Sequence, residues 1–177
     1  MESIDLSDRA VIEAQIGRTP RGLVDVTVRC SYGYPQVIRV RPLIERQPFP
    51  TLYWLTCPYL AKKIDHLEAG GWIGRLEQQM AEDGTLRDAM ERAHERYVAG
   101  RSAMLTDDDR AVVAALGLTP SLMERGIGGI ADRSRLKCLH LHVAHELAET
   151  NSVGERVLSM LGVIECAKEK VICSARV

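Results

Sequence analysis

The chain has 177 residues, 46% hydrophobic and 27% charged, with a formal net charge of −1. That length and make-up build one domain whose core needs neither a disulfide nor a structural metal. The balanced charge lacks the footprint of a nucleic-acid binder. The acidic start, Met1–Asp5, is not a secretory leader. No run approaches the ~20 apolar residues of a spanning helix. The expectation is a cytoplasmic protein away from membranes.

Residues 7–16 read as a short helix capped by Ser7, with Val11, Ile12 and Ile16 at helical spacing. Residues 22–30 alternate, so Val24, Val26, Val28 and Cys30 face one way in a half-buried strand. Ser31–Pro35 is turn chemistry, residues 36–41 a second strand, and the proline-rich stretch 42–50 an ordered connection. Residues 52–57, with Tyr53, Trp54 and Thr56, form a third strand. The short spacings favour an antiparallel meander.

Helical patterns follow. Pro58 opens a helix with Leu60, Ile64 and Leu67 on one stripe, closed by Gly70–Gly71. A second helix runs over 72–81. A third, capped by Thr85, spans 86–104, and its His94, Tyr97 and Arg101 share a face that reads as an amphipathic surface. Thr106 and three aspartates open a fourth helix. Residues 117–130 are glycine-rich and irregular. A helix capped by Asp132 or Ser134 runs to about Thr150. After a turn at 151–154, residues 155–161 resume helix. The fold expected is α+β, a small antiparallel sheet from the N-terminal third packed against helices. The organisation expected is a single domain over 1–177, with a core at 15–155, an insertion at 106–130 and a C-terminal extension at 155–177.

The chemistry concentrates in the helix near 138. Cys138, His142 and His145 stand at i, i+4 and i+7, within roughly 60° of one another on a helix. His140 points to the other side. Thiol and imidazole are borderline and soft ligands that suit zinc or iron. A tetrahedral site needs a further ligand, for which Cys57 and Cys30, at strand ends, are candidates. No pair of the five cysteines forms a C-x-x-C. Core packing is the plainer role for any one of them, Cys166 and Cys173 included. Cys57 or Cys138 is also a candidate nucleophile, Cys57 because a helix N-terminus after Pro58 lowers a thiol pKa.

Arginines supply a second reading. Arg18, Arg21, Arg29, Arg39 and Arg41 lie near the strands, and Arg133, Arg135 and Lys137 open the key helix. Converging arginines clamp phosphate or carboxylate. Arg21, Arg29 and Arg135 are the candidate anion contacts of a non-catalytic interaction module, whose partner is a protein or a second copy of the chain. A solvated face is the plainer role for these residues.

Three segments carry a resemblance. They are Arg29-Cys30-x-x-Gly33-x-Pro35-x-Val37-Ile38; Pro48 through Pro58; and Lys137-Cys138-Leu139-His140 with Ala144-His145 and Asn151-x-x-Gly154. Together they resemble a bacterial family known as domain of unknown function number five hundred and one, over roughly 15–155. The resemblance implies no established activity. Its pattern matches Cys138, His140, His145, Asn151 and Gly154 and does not clearly demand His142.

Overall fold

The computed structural model describes residues 6–175. Met1–Asp5, read above as lacking a leader, lie outside the described residues. So do the last two residues of the extension. The architecture is α+β. No described helix is long and apolar enough to cross a membrane.

Helix α1 (Leu6–Ile16) leads into strand β1 (Leu23–Arg29). Strands β2 (Pro35–Val40) and β5 (Tyr53–Leu55) complete a three-stranded antiparallel sheet in the order β1-β2-β5. This is the expected meander, with β2 at its centre. Successive residues of a strand point to opposite faces. On β2 that sends Val37 into the main core, and Ile38 and Val40 into a smaller core with Ile12 of α1.

Two details differ from the sequence expectation. The pairing of β1 with β2 shifts register between Val26 and Val28. Across such an irregularity the alternation breaks. Val26 packs on the small core and Val28 on the main one, so Val24 to Cys30 do not share a face. The proline-rich connection also folds. Strands β3 (Leu43–Ile44) and β4 (Gln47–Pro48) pair across a two-residue turn. Glu45 and Arg46 both take positive φ, at 50° and 63°. Two such residues give the turn twist that suits a tight hairpin.

The main core lies between the sheet and helices α2 (Pro58–Ala69), α3 (Trp72–Glu82), α4 (Gly84–Ala103), α6 (Leu139–Ala148) and α7 (Ser152–Leu161). The cap of α4 is Asp83, which accepts from the Leu86 amide at 3.1 Å, rather than Thr85. Helix α5 (Asp107–Ala115) starts with a reciprocal capping box of Thr106 and Asp109. A single turn at Pro120–Glu124 and another at Ile127–Gly129 order the irregular stretch.

The face of α4 bearing His94, Tyr97 and Arg101 is not a surface. All three are fully buried. Arg101 donates to the carbonyls of Leu122 (2.6 Å), Pro50 (3.0 Å) and Gly126 (3.1 Å), and also to that of Arg125. Its guanidinium adds to the few backbone hydrogen bonds of these short turns and ties them to Pro50. His94 accepts from the Ile127 amide at 3.0 Å.

Candidate functional site

The decisive local feature is where α6 begins. It starts at Leu139, and Cys138 is its extended N-cap, at φ −162° and ψ 154°. Residues 132–138 are not helical. The reason is tertiary. Asp132 accepts from the Ser134 amide at 2.9 Å, Glu77 of α3 accepts from Leu136 at 2.8 Å, and Glu68 of α2 accepts from Leu139 at 2.6 Å. These side chains take amide protons that a longer helix would need for itself.

Because Cys138 stands outside the helix, it does not share a face with His142 and His145. Its companion is His140. The Cys138 sulfur, a ring nitrogen of His140 and a Glu68 oxygen all lie within 4.8 Å of one another. Ligands around tetrahedral zinc at ~2.0–2.3 Å sit roughly 3.3–3.8 Å apart, so closing on an ion asks for a contraction of no more than about 1.5 Å. Among the described residues this is the only trio of potential ligand groups so gathered.

His140 is bracketed by acceptors. Its Nδ1 lies 3.2 Å from Glu68 Oε1. Its Nε2 lies 3.2 Å from the Ala61 carbonyl and 3.3 Å from Asp65 Oδ1. Burial alone would lower its pKa. The hydrogen bond with Cys138 and the Glu68 charge outweigh that and push it up to about 9. Ala61, Asp65 and Glu68 thus meet His140 from one face of α2. Glu68 escaped the sequence reading. The signal existed, since 61, 65 and 68 have the same i, i+4, i+7 spacing used above for 138, 142 and 145.

Cys138 and His140 also line a cavity of about 270 Å³ whose other walls include Trp54, Phe49, Arg18 and Lys137. Glu68 stands behind them, away from the lining. Any ion held by the trio would therefore lie at the cavity wall.

The remaining predicted ligands sit elsewhere. His142 and His145 are buried in a polar network built on Asn151. The Asn151 amide nitrogen lies 3.2 Å from His142 Nδ1 and 3.1 Å from His145 Nδ1, and its oxygen accepts from Gly154 at 2.9 Å. One side chain thus caps α7 and donates to both rings. Burial drives His142 down to about 3 and His145 down to about 4, so both are neutral acceptors at Nδ1. The His145 ring stacks on Tyr53 (5.9 Å between centroids) and meets Tyr97 edge-on at 5.0 Å. A Cβ on Gly154 would stand 2.2 Å from the His142 carbonyl, so only glycine lets α7 approach α6 here. The Asn151 and Gly154 pattern has this physical origin.

Cys57 is the buried N-cap of α2. Burial pushes its thiol pKa up, against the amides of Leu60 and Tyr59. The expected lowering by the helix N-terminus is overridden. Cys30 belongs to the β1–β2 turn, where its carbonyl accepts from Gly33 at 2.9 Å. Neither is part of the trio.

The three proposed anion contacts are each engaged by a carboxylate. Arg21 meets Glu45 at 3.4 Å, Arg29 grips Asp8 at 2.8 and 2.6 Å, and Arg135 meets Glu77 at 3.2 Å. Arg135 lines a separate cleft with Glu77 and Arg87.

No curated protein and no solved structure matches the chain. A family model described as Protein of unknown function (DUF501) matches residues 26–159, a span that holds most of the sheet, the Glu68–Cys138–His140 trio and every cavity-lining residue but Arg18. On that match, over most of its length, the chain belongs to the DUF501 family.

Proposed function

We propose that the protein holds a metal ion, zinc or iron, at Glu68, Cys138 and His140. The observation that carries the reading is the gathering of one sulfur, one imidazole nitrogen and one carboxylate oxygen within 4.8 Å at a cavity wall. A thiolate, an imidazole and a carboxylate suit zinc, whose protein ligands are these three types. Iron shares the imidazole and thiolate preference. Three protein ligands beside an open cavity match the ligand count of catalytic zinc centres; structural sites close all four positions. His142, His145, Cys57 and Cys30 are not needed in this arrangement, and Asp65, 3.3 Å from His140, orients the imidazole from behind.

The support for an anion-binding module through Arg21, Arg29 and Arg135 is weaker, because each of these already has a carboxylate partner.

Cobalt(II) titration of the chelator-treated protein tests the metal reading. A thiolate-to-cobalt charge-transfer band that saturates at one equivalent is expected. The band disappears in Cys138→Ala and persists in Cys57→Ala. A band that survives Cys138→Ala, or no band at all, contradicts the assignment.

A further inference from the structure

The cavity beside Cys138 differs in charge from the molecule around it. The chain has 23 basic and 24 acidic residues, yet the cavity lining includes Arg18, Lys137 and His140 and no Asp or Glu. Among the described residues, Arg18 and Lys137 form no ion pair. The Arg18 guanidinium lies 4.7 Å from the Trp54 ring centroid, so an aromatic wall holds it. Lys137 donates to the Gly128 carbonyl at 3.1 Å, which fixes its ammonium near the cavity and leaves two donors. Phe49 lies 6.1 Å from Trp54 and extends the aromatic wall.

Two cations without a carboxylate partner, beside two aromatic rings inclined at 43° to each other, recognise a particular kind of ligand. The guanidinium fork matches a carboxylate or phosphate. The Trp54 and Phe49 rings favour an apolar, planar body. At about 270 Å³ the cavity falls just below the ~300–1,000 Å³ of pockets for drug-sized ligands. A dinucleotide or a polymer does not fit inside it.

We propose that this cavity binds a small organic anion of single-ring size, its carboxylate or phosphate held between Arg18 and Lys137 and its ring against Trp54 and Phe49. The inference does not depend on the metal, since neither cation belongs to the Glu68–Cys138–His140 trio.

Calorimetric titration of the chelator-treated full chain tests it, at low ionic strength so that screening does not mask the charge. The probes are phenyl phosphate, benzoate, inorganic phosphate and benzyl alcohol. Phenyl phosphate or benzoate is expected to bind at least tenfold more tightly than both inorganic phosphate and benzyl alcohol. The tighter of the two identifies the head group. Arg18→Gln, at an exposed side chain, is expected to weaken that binding about tenfold or more, and Arg87→Gln in the other cleft to leave it unchanged. Lys137→Gln is expected to weaken it as well, with a melting curve to check the Gly128 contact. Failure of both aromatic anions to bind, equal affinity for benzyl alcohol, or an Arg18→Gln affinity equal to that of the parent overturns the proposal. Anion binding that survives Cys138→Ala while cobalt binding is lost separates this site from the metal centre.

Discussion

At the scale of single residues, one side chain often decides two structures. Asn151 caps α7 and supplies both donors to His142 and His145. Replacing it with alanine removes a cap worth about 1 kcal/mol. It also leaves two buried imidazole acceptors unpaired, at about 1–3 kcal/mol each. Asn151→Ala is therefore expected to destabilise by about 3 kcal/mol or more in urea unfolding. A loss below about 1 kcal/mol would show that the rings find other donors. Glu68 has the same double character. It accepts the first amide of α6 and faces His140 Nδ1. The residue that accepts from the start of the helix is thus also the one that faces His140, so the helix start and the His140 ring are coupled through one carboxylate.

At the scale of elements, the segment 118–130 shows how a loop without a ladder is held. Four carbonyls, three of them in this segment, converge on Arg101 from α4. Burial lowers the guanidinium pKa, but it stays charged, because arginine does not deprotonate in proteins. Arg101→Met keeps much of the volume and removes the donors, leaving buried carbonyls unsatisfied. A loss of about 3 kcal/mol or more is expected, at about 1–3 kcal/mol for each carbonyl left without a donor. The measurement is thermal melting, combined with amide exchange. Exchange should rise first in 118–130 and less in the sheet. Uniform exchange across the chain would mean that Arg101 serves the whole core equally.

Helix boundaries tell the same story about legibility. The starts of α2 and α5 were readable, because Pro58 and the Thr106–Asp109 box are local signals. The start of α6 was not. The amides of Leu136 and Leu139 bond to Glu77 and Glu68, which are 59 and 71 residues away in sequence. Nothing in the run 132–138 itself encodes those partners. Because of that single boundary Cys138 does not share a helical face with His142 and His145, although it does lie beside His140.

For the molecule as a whole, the α+β class followed from alternation in the strands and 3.6-residue periodicity afterwards, and the meander from short connections. The β1 irregularity did not follow, since alternation alone cannot announce a register shift. The buried face of α4 was misread because His94 and Arg101 are polar types that usually face solvent. They are inside because the carbonyls and amides of the 118–130 loop need partners.

The buried histidines give the whole fold a pH dependence. Burial lowers His94 to about 4, with Arg133 adding to it, Glu91 opposing it and His145 nearby; it lowers His142 to about 3, with His94 adding to it. Their unfolded pKa is about 6.5. A depressed folded pKa means the unfolded chain binds protons first. These groups therefore contribute stability fully above about pH 6.5 and lose it as the pH falls towards 4, by up to about 1.4 kcal/mol per unit for each group. Urea midpoints are expected to fall between pH 6.5 and 4, and His94→Gln to flatten that slope. An unchanged slope in the variant would mean that carboxylates alone set the acid limb.

The measurement that tests the central claim most directly is the metal content of untagged protein, purified anaerobically, with His140→Ala and Cys138→Ala beside it. The account predicts close to one zinc or iron per chain in the parent and little in either variant, with both variants still folded. A folded, metal-free parent, or full metal content in both variants, would contradict it.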